Sequence, residues 1–196
     1  MTQGSKTSDP LKDALHRSLH EARSSLLSKV EGLSEFDMRR PMTPTGTNLL
    51  GLVKHLSMEE YGYLGEIFGR PAPEHLKCDE DGSVWQGGDM WALPDESGEY
   101  ILGFYRRACA HADATITTLG LDAPGSVPWW SERERATTLG VILVRMVGET
   151  QRHAGHIDIV RELVDGFSGT DNAELGDEKW WRDYVAPIQA AADTFA

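Results

Sequence analysis

Cysteine is scarce in this chain, and so are long apolar runs. Two cysteines, Cys78 and Cys109, occur among 196 residues, too few for a disulfide framework. Neither stands beside a residue that would mark it as a nucleophile, so we interpret both as structural thiols. The longest clean apolar run, 141–144, is far too short to span a bilayer. The opening MTQGSKTSDP has no apolar segment of the signal-peptide kind, so we expect a cytoplasmic protein without a membrane partner.

Basic residues are also in short supply. Lysine and arginine number 19 against 31 aspartates and glutamates, which gives a formal net charge of −12. A nucleic-acid-binding surface needs a basic stripe that releases the counterions of the phosphates. The acidic balance therefore argues against nucleic acid and against anionic membrane surfaces as partners.

Alternating β-patterns are lacking, and apolar residues instead recur at three- and four-residue steps. The start signal Ser8-Asp9-Pro10, a capping side chain followed by proline, opens the first such segment. The pattern predicts four long helices and a tail helix interrupted at Pro187, at about 10–32, 49–68, 94–120, 137–164 and 178–194. Four helices with long connections indicate an all-α four-helix bundle with an extra C-terminal helix. We expect one domain over 1–196, with its core at about 9–166 and a C-terminal extension at 167–196.

Two long connections carry tryptophans. Trp85 and Trp91 lie in the irregular segment 70–94, and Trp129 and Trp130 lie in the segment 121–136. Long loops in small domains are often functional, so these rings could roof a pocket. Simple packing of the rings against the bundle is an equal alternative.

One helical stripe carries groups that bind metals. Glu149, His153 and His156 are spaced i, i+4 and i+7, which places them on one face of the fourth helix. His55 lies at the margin of the apolar stripe of the second helix, and bundles build metal sites from facing helices in this way. A carboxylate and imidazoles on a stripe that faces a core need a partner, and a divalent metal satisfies them together. The alternatives are a solvated Glu–His pair and a histidine at the edge of the core.

Five segments of the chain resemble the DinB-like superfamily, in its actinobacterial DUF664 branch related to mycothiol-dependent enzymes such as maleylpyruvate isomerase. The segments cover most of 9–166 and occur in the order expected for that branch. They are NLLGLVKHL at 48–56, DMW at 89–91, AHADA at 110–114, APGSVPWW at 123–130 and ETQRHAGH at 149–156.

The resemblance implies a four-helix bundle with a divalent metal near one end, held by His55, Glu149 and His153. His156 then falls outside the ligand set, and we expect it to face the substrate or to support a ligand. Arg145 and Gly140 stand where many relatives have histidines, so the pocket is expected to differ from theirs. The resemblance also implies a homodimer.

Three protein ligands leave a position open for substrate, and a metal there can lower the pKa of a bound thiol. We therefore expect a metal-dependent S-transferase or isomerase that joins a low-molecular-weight thiol, mycothiol, to a small electrophile. His156 or Glu59 could relay a proton, and Arg152 could hold a carboxylate. Zinc is the first choice of metal, with nickel, iron and manganese as alternatives.

Two other functions stay open at this point. One is a non-catalytic, stress-related helical dimer whose metal is closed off by His156 as a fourth ligand. The other is a metal-dependent hydrolase that works without a thiol.

Overall fold

The computed structural model describes residues 9–167 and 176–196. Its framework is a ring of four helices: α1 (Pro10–Ser28), α3 (Leu49–Leu64), α5 (Gly98–Thr118) and α6 (Leu139–Asp165). Helix α6 packs against α1 and α3, α3 packs against α5, and a looser contact of α1 with α5 closes the ring. The predicted all-α bundle is confirmed.

Side chains at the helix starts explain why these segments begin where they do. The Asp9 carboxylate accepts from the backbone N–H groups of Leu11 and Lys12, and Pro10 opens α1. Asn48 caps α3 by accepting from the N–H of Gly51 at 2.8 Å. Ser8, which belongs to the predicted start signal, lies outside the described residues.

Two predicted helix ends are wrong by several residues. Helix α1 ends at Ser28 rather than near Gly32, because the following turn is tied to α6. The Arg161 guanidinium donates to the carbonyls of Lys29 and Glu31 at 2.7 and 3.0 Å. The second predicted helix ends at Leu64, and a separate 3₁₀ turn (Glu66–Phe68) follows it.

The connections contain short elements that periodicity does not reveal. Two lie before α5, namely α2 (Glu35–Arg39) and α4 (Lys77–Glu80), and a 3₁₀ turn spans Ser83–Gln86. Between α5 and α6, β1 (Pro124–Ser126) pairs antiparallel with β2 (Ala136–Thr138). Strands of three residues are too short to show an alternating pattern, which is why the sequence did not reveal this pair.

The tail helix α7 (Glu178–Asp193) runs through Pro187 without a break, so the predicted interruption is wrong. Proline removes one donor from the helix, but none of the helix's residues is buried, so water can serve the carbonyl that loses its partner. None of the described helices combines the length and the apolar content that a membrane crossing needs.

Charged side chains are also buried among the framework helices, and two ion pairs hold four of them. Arg23 of α1 donates two hydrogen bonds, of 2.7 and 2.5 Å, to the carboxylate of Glu60 on α3. Lys54 of α3 is fully buried, and its ammonium group donates to Glu96 at 2.7 Å and to the Trp91 carbonyl at 3.1 Å. Buried charges need such partners, so these pairs fix how the helices and the 89–97 loop meet.

Candidate metal centre

The structure brings the three expected ligands together where α3 and α6 face each other. Single ligand atoms from His55, Glu149 and His153 all lie within 4.8 Å of one another. A Glu149 carboxylate oxygen is 2.9 Å from Nε2 of His153 and 3.7 Å from Nε2 of His55. Between 11% and 18% of each side chain is exposed, so the group is mostly buried and still reachable. This cluster is called the triad below.

The triad includes donors that suit a divalent metal. Zinc binds histidine nitrogen and carboxylate oxygen at 2.0–2.2 Å, which in a tetrahedron separates two ligand atoms by about 3.4 Å. The two separations measured from Glu149, 2.9 and 3.7 Å, bracket that value. Two imidazoles and one carboxylate therefore fit zinc, and the same donors also suit nickel, iron or manganese.

Asp89 supports the triad from the loop before α5, a role that the sequence did not reveal. Its carboxylate is buried and lies 2.7 Å from Nδ1 of His55, which turns Nε2 of that ring toward Glu149. Histidine ligands of metals almost always have such a partner on their other nitrogen. The DMW segment carries Asp89, but nothing in its sequence context says which side chain the carboxylate meets.

The pKa values of the two triad histidines are shifted in opposite directions. Burial disfavours the charged form of His55, but the hydrogen bond that His55 donates to Asp89 and the charges of nearby carboxylates outweigh burial and raise the pKa of His55. Burial and the neighbouring His55 lower the pKa of His153 despite the Glu149 carboxylate. Burial opposes ionisation of Glu149, but its hydrogen bond and attraction to His153 lower the pKa. A neutral His153 and an ionised Glu149 are the forms that a metal binds.

The other three expected site residues lie at different distances from the triad. His156 is exposed, and its Nδ1 lies 3.3 Å from Nδ1 of His153. It therefore contacts the triad, but among the described residues it is not one of the three whose ligand atoms cluster. Arg152 is exposed, and its charge helps to lower the pKa of Glu149. Glu59 lies one turn after His55 on α3, and burial raises its pKa.

A cavity of about 230 Å³ lies beside α3, next to the triad residue His55 through their shared neighbour Asp89. Glu59 and Asp89 line it and connect it to His55. Of the four loop tryptophans, Trp85 and Trp129 line this cavity, and Trp91 and Trp130 are not among its lining residues.

Tyr63 fixes the second tryptophan loop against α3. Its hydroxyl accepts hydrogen bonds from the indole nitrogens of Trp129 and Trp130 at 2.9 and 3.0 Å. The Arg145 guanidinium lies over the Tyr63 ring at 4.5 Å and over the Trp130 ring at 5.5 Å. Arg145, which stands where many relatives are expected to have histidine, thus packs against the rings that hold this loop to α3.

The two cysteines stand apart from the triad. Cys78 is buried and Cys109 is half-buried, and both are free thiols. Burial raises the pKa of both thiols. They behave as the structural thiols that the sequence indicated.

One family model matches most of the chain. Residues 14–166 match the model of a family described as mycothiol-S-transferase. No curated protein matches the sequence.

A solved structure shares the fold. It is described as the crystal structure of a conserved protein of locus from Enterococcus faecalis, and it superposes with a TM-score of 0.60. The match covers 81% of this chain and 99% of that one, at 12% sequence identity. At that identity the likeness concerns the fold alone.

Proposed function

Because the chain belongs to the mycothiol S-transferase family, a member of the DinB-like superfamily, we propose that it joins mycothiol to a small electrophile at a divalent metal. His55, Glu149 and His153 would hold the ion. The observation that carries this proposal is the convergence of three donors, from two helices, within 4.8 Å. Three protein ligands leave a coordination position free for a substrate.

The reaction forms a bond between the thiol sulfur and an electrophilic carbon. The thiol proton goes to a base. The carbon either loses a leaving group with the electron pair of the broken bond or, in an addition, passes that pair to a neighbouring atom, which then takes up a proton. The metal supplies Lewis acidity, which lowers the pKa of a thiol placed beside it. No cysteine of the chain competes for this role, because burial keeps Cys78 and Cys109 in the thiol form.

Glu59 is the base that the geometry favours. It lines the cavity, and its Oε2 is buried without a hydrogen-bond partner in the described part of the chain. Its nearest cation, the Arg145 guanidinium, is 3.8 Å away, beyond hydrogen-bond distance. The carboxylate is therefore available to accept a proton from a thiol that enters between the triad and the cavity. His156 is more exposed and serves here as support for His153.

Three parts of the proposal stay predictions. They are a homodimeric assembly, which the resemblance implies, a cytoplasmic location and zinc as the resident metal. Arg152 is exposed beside the triad and is proposed to act on Glu149 by its charge rather than to clamp a carboxylate.

The first test measures metal content by elemental analysis on tag-free protein, wild type beside His153→Ala. We expect one ion per chain in the wild type and loss of it in the variant. His75→Ala is the matched control, since His75 forms another i, i+4 pair with a carboxylate, that of Asp79. Absence of metal from reconstituted wild type, or unchanged metal in His153→Ala, would overturn the triad as the metal site.

The second test asks whether a thiol reaches the ion. Cobalt-substituted protein is titrated with mycothiol, and its visible spectrum is expected to change. Wild-type protein is then incubated with mycothiol and a panel of epoxides, haloalkanes and Michael acceptors, and adducts are measured by mass spectrometry. Metal without any spectral response or adduct would point to the hydrolytic or structural alternative instead.

A further inference from the structure

The cavity beside the triad has walls of two kinds. Five aromatic rings line it, and so do five carboxylates, while no lysine or arginine is among its lining residues. The rings belong to Tyr61, Tyr63, Trp85, Phe104 and Trp129. The carboxylates belong to Glu59, Glu66, Glu74, Asp79 and Asp89.

Some of these carboxylates already have partners. Arg107 holds Glu74 with two hydrogen bonds of 2.6 and 2.9 Å, and the Tyr61 hydroxyl donates to the same group at 3.0 Å. Asp79 lies 2.5 Å from Nδ1 of His75. Arg107 and His75 are therefore already paired with carboxylates of the cavity wall.

Two other carboxylates keep free acceptor capacity. Glu66 is exposed and makes no hydrogen bond or ion pair from its side chain within residues 9–167 and 176–196. Oε2 of Glu59 is buried without a hydrogen-bond partner in the same residues, and the Arg145 guanidinium is 3.8 Å away. A cavity lined by such groups and by no lysine or arginine repels an anionic ligand, because bringing like charges together is costly. The same oxygens accept hydrogen bonds from the hydroxyl groups of a neutral ligand.

The aromatic walls offer flat apolar faces. Trp85 is 74% exposed, which is unusual for so large a ring unless it meets a partner. Trp129 is held by its hydrogen bond to Tyr63, so its face keeps a fixed direction. Rings of this kind pack against the C–H faces of sugar rings, while carboxylates take the hydroxyl groups at their edges.

The cavity also lies where a thiol cosubstrate would extend. Asp89 contacts His55 at 2.7 Å and lines the cavity, so one side chain borders both sites. A molecule whose sulfur meets the triad can therefore place its remaining part along α3. Mycothiol is a sugar-linked cysteine thiol, and its sugar part is neutral and rich in hydroxyl groups.

We propose that this cavity is the subsite for the sugar portion of the thiol, and that its carboxylates exclude anionic thiols such as glutathione. The inference rests on the proposed function. It assigns Trp85 and Trp129 as stacking faces and Glu66 as a hydroxyl acceptor, while Glu59 keeps its role as the base. The discrimination among thiols then resides in the cavity walls, and the triad itself need not distinguish them.

The deciding experiment uses a probe without sulfur, so that it does not depend on catalysis. The thiol-free sugar portion of mycothiol is titrated into wild type, Trp85→Ala and Trp91→Ala, and binding is measured by calorimetry. Trp91 is the matched control, since it is exposed, lies in the same loop and does not line the cavity. We expect binding to wild type and to Trp91→Ala, and binding about tenfold weaker to Trp85→Ala. No binding to wild type, or equal binding to the two variants, overturns the subsite.

A charge reversal tests the exclusion of anions. In Glu66→Lys, competition for the cobalt-substituted protein is expected to shift toward glutathione by about tenfold relative to mycothiol, with Glu66→Gln between it and wild type. An unchanged ratio contradicts the electrostatic part of the proposal. If the sugar probe binds but no thiol is ever transferred, the subsite stands and the proposed reaction fails. If transfer occurs and Trp85→Ala leaves binding unchanged, the reaction stands and the subsite fails.

Discussion

At the residue scale, the carboxylate of Asp89 in a loop fixes the orientation of the His55 imidazole on α3. Spacing on α6 indicated Glu149, His153 and His156, the facing helix offered His55, and the resemblance left His156 out of the ligand set. Asp89 escaped prediction because its partner lies 34 positions away on another element, and no local pattern connects the two. The sequence thus predicted the side chains of the triad, while the support that orients them depends on tertiary structure.

Asp89→Asn tests that support. The amide keeps the shape of the side chain but removes the charge that favours a hydrogen bond from His55, so metal affinity is expected to fall about 10- to 100-fold. Competition with a chromogenic chelator gives the affinity. Asp79→Asn, which removes the partner of the exposed His75, is the control and is expected to leave the affinity unchanged. Equal effects of the two variants would mean that Asp89 does not act through His55.

At the scale of elements, helix existence was predictable and helix ends were not. The long apolar stripes fix α1, α3, α5 and α6, whereas ends depend on contacts such as that of Arg161 with the carbonyls after α1. The β1–β2 pair escaped because three-residue strands leave no period to detect. Glycines on the long helices are a further example: the sequence shows where they are, but only the structure shows which of them contact a neighbouring element.

Two glycine-to-alanine changes are expected to act in opposite directions. A methyl group at Gly51 on α3 would lie 1.8 Å from the Met90 carbonyl oxygen, so Gly51→Ala should lower the free energy of unfolding by about 1–3 kcal/mol. A methyl group at Gly148 on α6 meets nothing within 4 Å, and alanine favours helix, so Gly148→Ala should raise it by about 0.5–1 kcal/mol. Urea unfolding of both variants measures the difference. Destabilisation of the Gly148 variant would contradict the packing described for α6.

At the scale of the whole molecule, ion pairs of carboxylates contribute to the stability of the fold, and acid abolishes them by protonating the carboxylates. Burial opposes ionisation of Asp113, but Arg23 and His16 lower its pKa below the ordinary 3.8. Such a carboxylate stabilises the fold above its unfolded pKa, and the contribution is lost as pH falls through the lower folded value. Stability is therefore expected to drop below about pH 4.

Asp113→Asn should flatten part of that drop. Urea unfolding between pH 3 and pH 7 is compared for wild type, Asp113→Asn and Asp122→Asn. Asp122 is exposed and forms no ion pair in the described residues, so its variant should follow the wild-type curve. If Asp113→Asn kept the full acid dependence, the network with Arg23 would not be its source.

Metal binding should raise the melting temperature of the whole bundle. An ion that binds only the folded chain adds about 2.7 kcal/mol at a concentration of 100 Kd, which corresponds to roughly 5–10 °C for a chain of this size. Differential scanning fluorimetry with zinc, with and without a chelator, measures the shift. His153→Ala should lose it and His156→Ala should keep most of it. Loss in both variants would place His156 among the ligands.

The burial of the two cysteines has a further consequence if the protein handles electrophiles, as we propose. Reactive carbon compounds alkylate thiolates, so any exposed cysteine near the site would be consumed by the molecules being processed. Cys78 and Cys109 stay protonated, because burial raises the pKa of each. The bundle is thereby protected from self-inactivation, and alkylating reagents should modify the added thiol long before they modify the protein.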